Sequence, residues 1–245
     1  MSLFRDSVDA TLRNAKAVAI YVGFSIVAST LNHSYTFLSN TADRIKEGQH
    51  FSQADIAVDL IVYLVACIGQ TMVFAMLVAD IDRPLWKYDG PIAALKKYFT
   101  MWYFFGLINI LFNVLIVTAY RHDAAKSSLN MLLFLQMVLI ILLQIFGTCL
   151  MFMRRPPVSE YQAVAAPLMH FFPQTIVIGF LYFLFLDIFQ SLVSVVRPEL
   201  PSAQSISAIL LITVASAILE CVAACAIFIL CRNYRETAHD DDFDF

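Results

Sequence analysis

The chain has 245 residues, 60% of them hydrophobic and 14% charged, with a mean hydropathy of +0.74 and a formal net charge of −3. A soluble domain carries about 25% charged residues, so this composition excludes a water-soluble globular fold and assigns the chain to the membrane class. Without a clustered basic face, nucleic acid is excluded as a partner. The cysteines Cys67, Cys149, Cys221, Cys225 and Cys231 all lie in or at the end of apolar runs, which excludes an extracellular disulfide framework.

In chain order, Phe4, Val8 and Leu12 recur every four residues and predict a short helix lying in the headgroup plane. The charges around it, ending at Lys16, lack a small-residue cleavage site, so the first span is read as a retained anchor. Six apolar segments are long enough to cross a bilayer: 17–38, 56–79, 99–119, 129–153, 176–196 and 206–231. All eight prolines fall between these runs. The predicted fold is therefore an all-α, polytopic membrane helical bundle of six transmembrane helices, forming a single integral membrane domain. Residues 232–245 follow as an acidic cytoplasmic tail, whose end, Asp240, Asp241, Asp242 and Asp244 with Phe243 and Phe245, reads either as solvated and disordered or as a segment that docks in a basic, apolar groove on a partner.

Lys and Arg distribute asymmetrically between the two sets of connections. Arg5, Arg13, Lys16, Arg83, Lys87, Lys96, Lys97, Arg154, Arg155, Arg232 and Arg235 fall on one side, against Arg44, Lys46, Arg121, Lys126 and Arg197 on the other. The positive-inside rule then places both termini in the cytoplasm.

The six spans group into three hairpin repeats, each opened by an interfacial helix. The stripes of the second and third units are Ile92, Leu95 and Phe99, then Tyr161, Ala165, Leu168 and Phe172. Leu12, Leu95 and Leu168 stand at one common spacing before Gly23, Gly106 and Gly179. Three hairpins would suit a mitochondrial carrier, but the Pro-x-[Asp/Glu]-x-x-[Lys/Arg] signature is absent from the ends of the odd spans.

Polar residues within the spans form a layer. At ~1.5 Å rise per residue, Asp187 and Glu220 lie roughly 17 Å from one membrane face, and Gln70, Asn109 and Gln144 about 14–15 Å from it. Asn113, Gln136 and Gln190 extend the layer towards the opposite leaflet. An acid at this depth costs about 2.5–3.5 kcal/mol on insertion scales, so it is protonated, paired or facing a polar cavity. The layer therefore reads either as a hydrated path or solute site, or as hydrogen bonds holding helices in register. The apolar cores lack Lys, Arg and His counter-ions, which favours the second.

Thr213, Ala217, Cys221 and Cys225 form a small-residue stripe suited to close helix packing. Asp80 and Asp82, beside Arg83, read as a solvated loop face. The histidines lie outside the apolar cores, and no HExxH, GxSxG or Walker-type motif occurs, so no cofactor, metal or catalytic residue is expected.

From sequence alone, the favoured function is a non-enzymatic accessory or scaffold subunit that packs against other membrane proteins or shapes the bilayer. Its expected partners are the lipid bilayer and a membrane protein or further copies of itself. The alternative is a transporter or channel for a proton, cation or small polar solute, built on Asp187 and Glu220.

Overall fold

The structure, a computed structural model, describes residues 2–40, 44, 52–81, 88–121, 126–153, 171–196 and 203–240. Seven helices cover them: α1 (Ser2–Arg13), α2 (Ala15–Leu38), α3 (Gln53–Ile81), α4 (Pro91–Arg121), α5 (Lys126–Met153), α6 (Phe172–Val196) and α7 (Ala203–Asp240). The described residues contain no strand. Five helices, α2, α3, α4, α5 and α7, are long and apolar enough to cross a membrane, and α6 adds the shorter apolar stretch Pro173–Tyr182.

Local chemistry sets the boundaries. Asn40, at φ 50°, adopts the left-handed conformation that closes a helix, just past the end of α2. A capping box starts α3, in which the Asp55 backbone N–H donates to Ser52 Oγ at 3.1 Å and the Ser52 backbone N–H donates to Asp55 Oδ2 at 2.6 Å. Gly90, at φ +97°, makes the turn into α4, where Pro91 takes the first helical position and needs no N–H partner. At the end of α3 the Ile81 carbonyl accepts from Arg232 Nη1 at 3.5 Å, a cation against the negative end of a helix dipole.

The packing follows chain order around a ring. Helix α2 lies between α7 and α3, α4 between α3 and α5, and α6 between α5 and α7, while α3, α5 and α7 touch one another in the middle. These three inner helices share a burial register. Counted from Gln70, Gln144 and Glu220, the residues one, four, five, seven and eight positions further on are at most 2% exposed in all three. Phe74 is the hub of this core, with ring centroids 5.8 Å from Tyr21, 5.7 Å from Trp102 and 6.2 Å from Phe228.

Helix α1 packs against α7, α3 and α2 with an unexpected face. Ser7, Ala10 and Thr11 are buried, and Thr11 Oγ1 donates to Cys225 Sγ at 3.6 Å on α7. Phe4 and Leu12, of the predicted apolar stripe, are 72% and 66% exposed. At 100° per residue the docked face, the apolar stripe and the face bearing Arg5, Asp9 and Arg13 divide the helix into three sectors.

Three expectations need correction or restriction. Ile92, Leu95 and Phe99 lie in the first turns of the continuous α4, so they form no separate in-plane helix; no helix-breaking residue separates them from the apolar run. Asp80 is no solvated loop residue. It lies in the last turn of α3 with its side chain 10% exposed, accepting from Asn14 Nδ2 at 2.9 Å and pairing with Arg13 at 3.5 Å. Residues 232–240 continue α7, and Arg232 pairs with Glu236 at 3.6 Å. Asp82, Arg83, the Tyr161–Leu168 part of the third stripe, and residues 241–245 lie outside the described residues.

Candidate functional site

The helices α3, α5 and α7 bring their register-matched polar residues to one point. Gln70 Nε2 donates to Gln144 Oε1 at 3.0 Å and to Glu220 Oε1 at 3.4 Å, and Gln144 Nε2 donates to Glu220 Oε1 at 3.0 Å. A fourth helix completes the cluster, where Tyr21 Oη on α2 donates to Glu220 Oε2 at 2.7 Å. The Glu220 carboxylate thus accepts from three neutral donors. Bonds to a charged group contribute about 1.5–3 kcal/mol each, enough together to offset the cost of an acid at this depth.

A second polar cluster lies further from the termini end of the bundle. Asn109 Nδ2 on α4 donates to Tyr63 Oη on α3, and Gln136 Nε2 on α5 donates to Asn109 Oδ1 at 2.7 Å and Asn113 Oδ1 at 2.6 Å. Both clusters face a cavity of about 220 Å³ bounded by α2, α3, α4, α5 and α7, whose wall includes Tyr21, Tyr63, Gln70, Asn109, Gln144 and Glu220. Aromatic and aliphatic side chains, among them Trp102, Phe105 and Leu143, supply the rest. Among the described residues lining it, Glu220 is the one acid and none is basic. Such a wall can hold a proton, a cation or a polar solute away from lipid.

A smaller cavity of about 70 Å³ lies on the other side of Glu220 and Gln144, bounded by α5, α6 and α7 and lined also by Tyr182 and Gly179. Of the residues singled out from sequence, Gln70, Gln144 and Glu220 meet directly, and Asn109 reaches the same cavity through the second cluster. Asp187 lies on α6, and its side chain and that of Gln190 are outside those described. In the small-residue stripe, Thr213 Oγ1 donates to Ser29 Oγ at 3.0 Å on α2, and Ala217, Cys221 and Cys225 are buried within the bundle.

Sequence reasoning overlooked Tyr21 and Tyr63, because tyrosine scores as apolar in a search for spans. It also passed over Asp59, an acid one turn before Tyr63 on α3. The spacing of Asp55, Asp59, Tyr63 and Cys67 at every fourth residue is the signal that would have found this face. No group of three or more His, Cys, Asp or Glu able to hold a metal occurs among the described residues. Comparison with protein-family models, with curated proteins and with solved structures finds no match.

Proposed function

We propose that the chain is an integral membrane protein of six spans, with both termini cytoplasmic, that carries a proton, cation or small polar solute through the mid-depth cavity at Glu220. One observation carries this reading: the acid lines a cavity large enough for a solute, with amide and hydroxyl groups from four other helices around it and no basic residue among the described residues of the wall. Sites of this kind form in membrane bundles where repeats meet near the midplane. Three hairpin repeats are part of the proposal, supported by the order of the helix ring and by the common burial register of α3, α5 and α7. Asp187 belongs to it by its sequence depth alone.

The accessory-subunit reading has less support. Its helix-packing stripe of Thr213, Ala217, Cys221 and Cys225 is engaged inside the bundle, and its docking segment beyond Asp240 lies outside the described residues. Proteoliposomes reporting internal pH and membrane potential, exposed in turn to gradients of protons, sodium, potassium and small solutes, separate the two. The transport reading expects at least one gradient to collapse with the native chain and to persist with Glu220→Gln. If every gradient persists and the chain leaves its own membrane with a stoichiometric protein partner, the accessory reading takes its place.

A further inference from the structure

We infer that the solute of the large cavity is a small organic ammonium ion, an inference that rests on reading the cavity as a solute site. Three properties of the wall lead to this class. The first is charge: none of the described residues of the wall around Glu220 is basic, and its three hydrogen-bond donors are neutral, so an occupant with one positive charge balances the acid.

The second is size and ligand supply. The half-open cavity holds about 220 Å³, many times the roughly 10–15 Å³ that admits a single water, so it has room for a small organic molecule. That is far more than a proton or a bare metal ion fills. A hard metal ion also asks for about six or more oxygen ligands, whereas the amide oxygens of Gln144 and Asn109 already accept from Gln70 and Gln136.

The third is the surface offered. Trp102 and Phe105 meet at 90° with ring centroids 5.8 Å apart and form a corner of the wall, and Tyr21 and Tyr63 add two further rings. Aromatic faces attract alkylammonium groups, most strongly where water is excluded. A neutral polar solute would use the amides and bring no charge to set against the acid, whose three donors are neutral. An organic ammonium uses the acid for its charge and the rings for its alkyl surface.

The test is calorimetric titration of the full chain in lipid nanodiscs with methylammonium, tetramethylammonium and choline, beside sodium chloride and dimethylbutanol, the uncharged carbon isostere of choline. The expected result is binding of at least one ammonium about tenfold or more tighter than sodium, and for choline than its isostere, with Glu220→Gln removing the preference. The isostere comparison uses the native chain and so does not depend on how the variant folds. If choline and dimethylbutanol bind equally well, the inference is overturned while the solute-site reading stands. If sodium alone binds, the site is one for an inorganic cation and the inference is overturned. If none of the ammonium ions binds, it is overturned as well, and the gradient assay then decides separately whether the transport reading survives.

Discussion

Gln144 donates to Glu220 Oε1 at 3.0 Å, and this contact stands between two cavities, of about 220 and 70 Å³, because both residues line each of them. Gln144 is also the acceptor for Gln70 at 3.0 Å. Replacing it by Leu therefore removes one of three donors from a half-buried acid and one of two acceptors from a half-buried amide at once. A lost hydrogen bond to a charged group costs about 1.5–3 kcal/mol. We expect Gln144→Leu to be destabilising by about that amount, and Gln70→Leu to be non-additive with it in a double-mutant cycle, since the two share a bond. Thermal unfolding in mild detergent reads both effects; strict additivity would mean that the triangle of side chains is energetically uncoupled.

Gly69 allows α2 and α3 their close approach. A Cβ at this position would stand 2.5 Å from the Phe24 Cβ, an atom bound directly to the α2 backbone and unable to swing aside, whereas a Cβ at Gly23 would meet nothing within 4 Å. Gly69→Ala should therefore be destabilising by about 1–3 kcal/mol through overpacking. Gly23→Ala should be neutral or stabilising, since Ala is the better helix former by up to about 1 kcal/mol. Unfolding temperatures of the two variants check the prediction, and equal behaviour would refute the close approach.

How much of this was legible in the sequence depended on which physical property each residue reports. Depth was legible: a fixed rise per residue placed Gln70, Gln144 and Glu220 at similar heights before their helices were packed. Direction was not, because an apolar helix has weak periodicity, and the matching faces emerge only from the burial of Thr71, Ile145 and Cys221 beside them. Tyr21 was illegible for a different reason, since its ring belongs to the core around Phe74 while its hydroxyl belongs to Glu220. The glycines used to align the repeats also divide. Gly106 lies against Tyr63 and Gly179 against Ile141, while Gly23 has open space.

Asp55 fixes the end of the bundle opposite the termini. It is 3% exposed, pairs with Arg44 at 2.8 Å, and accepts from Tyr35 Oη at 2.9 Å and from the backbone N–H of Ser52. The Arg44 side chain is 26% exposed and keeps its bond to the Ser39 carbonyl, so removing Asp55 costs the lost bonds to its charge, about 1.5–3 kcal/mol, rather than the larger penalty of a fully buried pair. Asp55→Ala should approach this loss. Asp55→Asn should lose less, because an amide oxygen still accepts from Ser52 at the start of α3. Chemical denaturation of the two variants checks the order, and an equal loss would assign the whole effect to the ion pair.

The face by which α1 docks is set by small polar residues, contrary to its hydrophobic stripe, and this gives opposite expectations for neighbouring positions. Ser7 is fully buried, with its hydroxyl donating to the Leu3 carbonyl at 2.6 Å. A larger side chain there must push α1 away from the bundle. Ser7→Leu makes the helix more apolar, yet it should be destabilising by about 1–3 kcal/mol through overpacking. Phe4→Ser makes the helix more polar at a position that is 72% exposed. In detergent it should change stability by no more than about 0.5 kcal/mol, as is usual for surface positions. In liposomes the same Phe4→Ser chain should lose part of the contact between its first helix and the headgroup region, because that stripe faces away from the protein and from the charged sector of α1. Quenching by lipid-borne probes of a fluorophore attached at Leu12 would read this contact. Unchanged quenching in Phe4→Ser would show that the stripe does not meet lipid, and a stable Ser7→Leu would show that α1 docks through some other face.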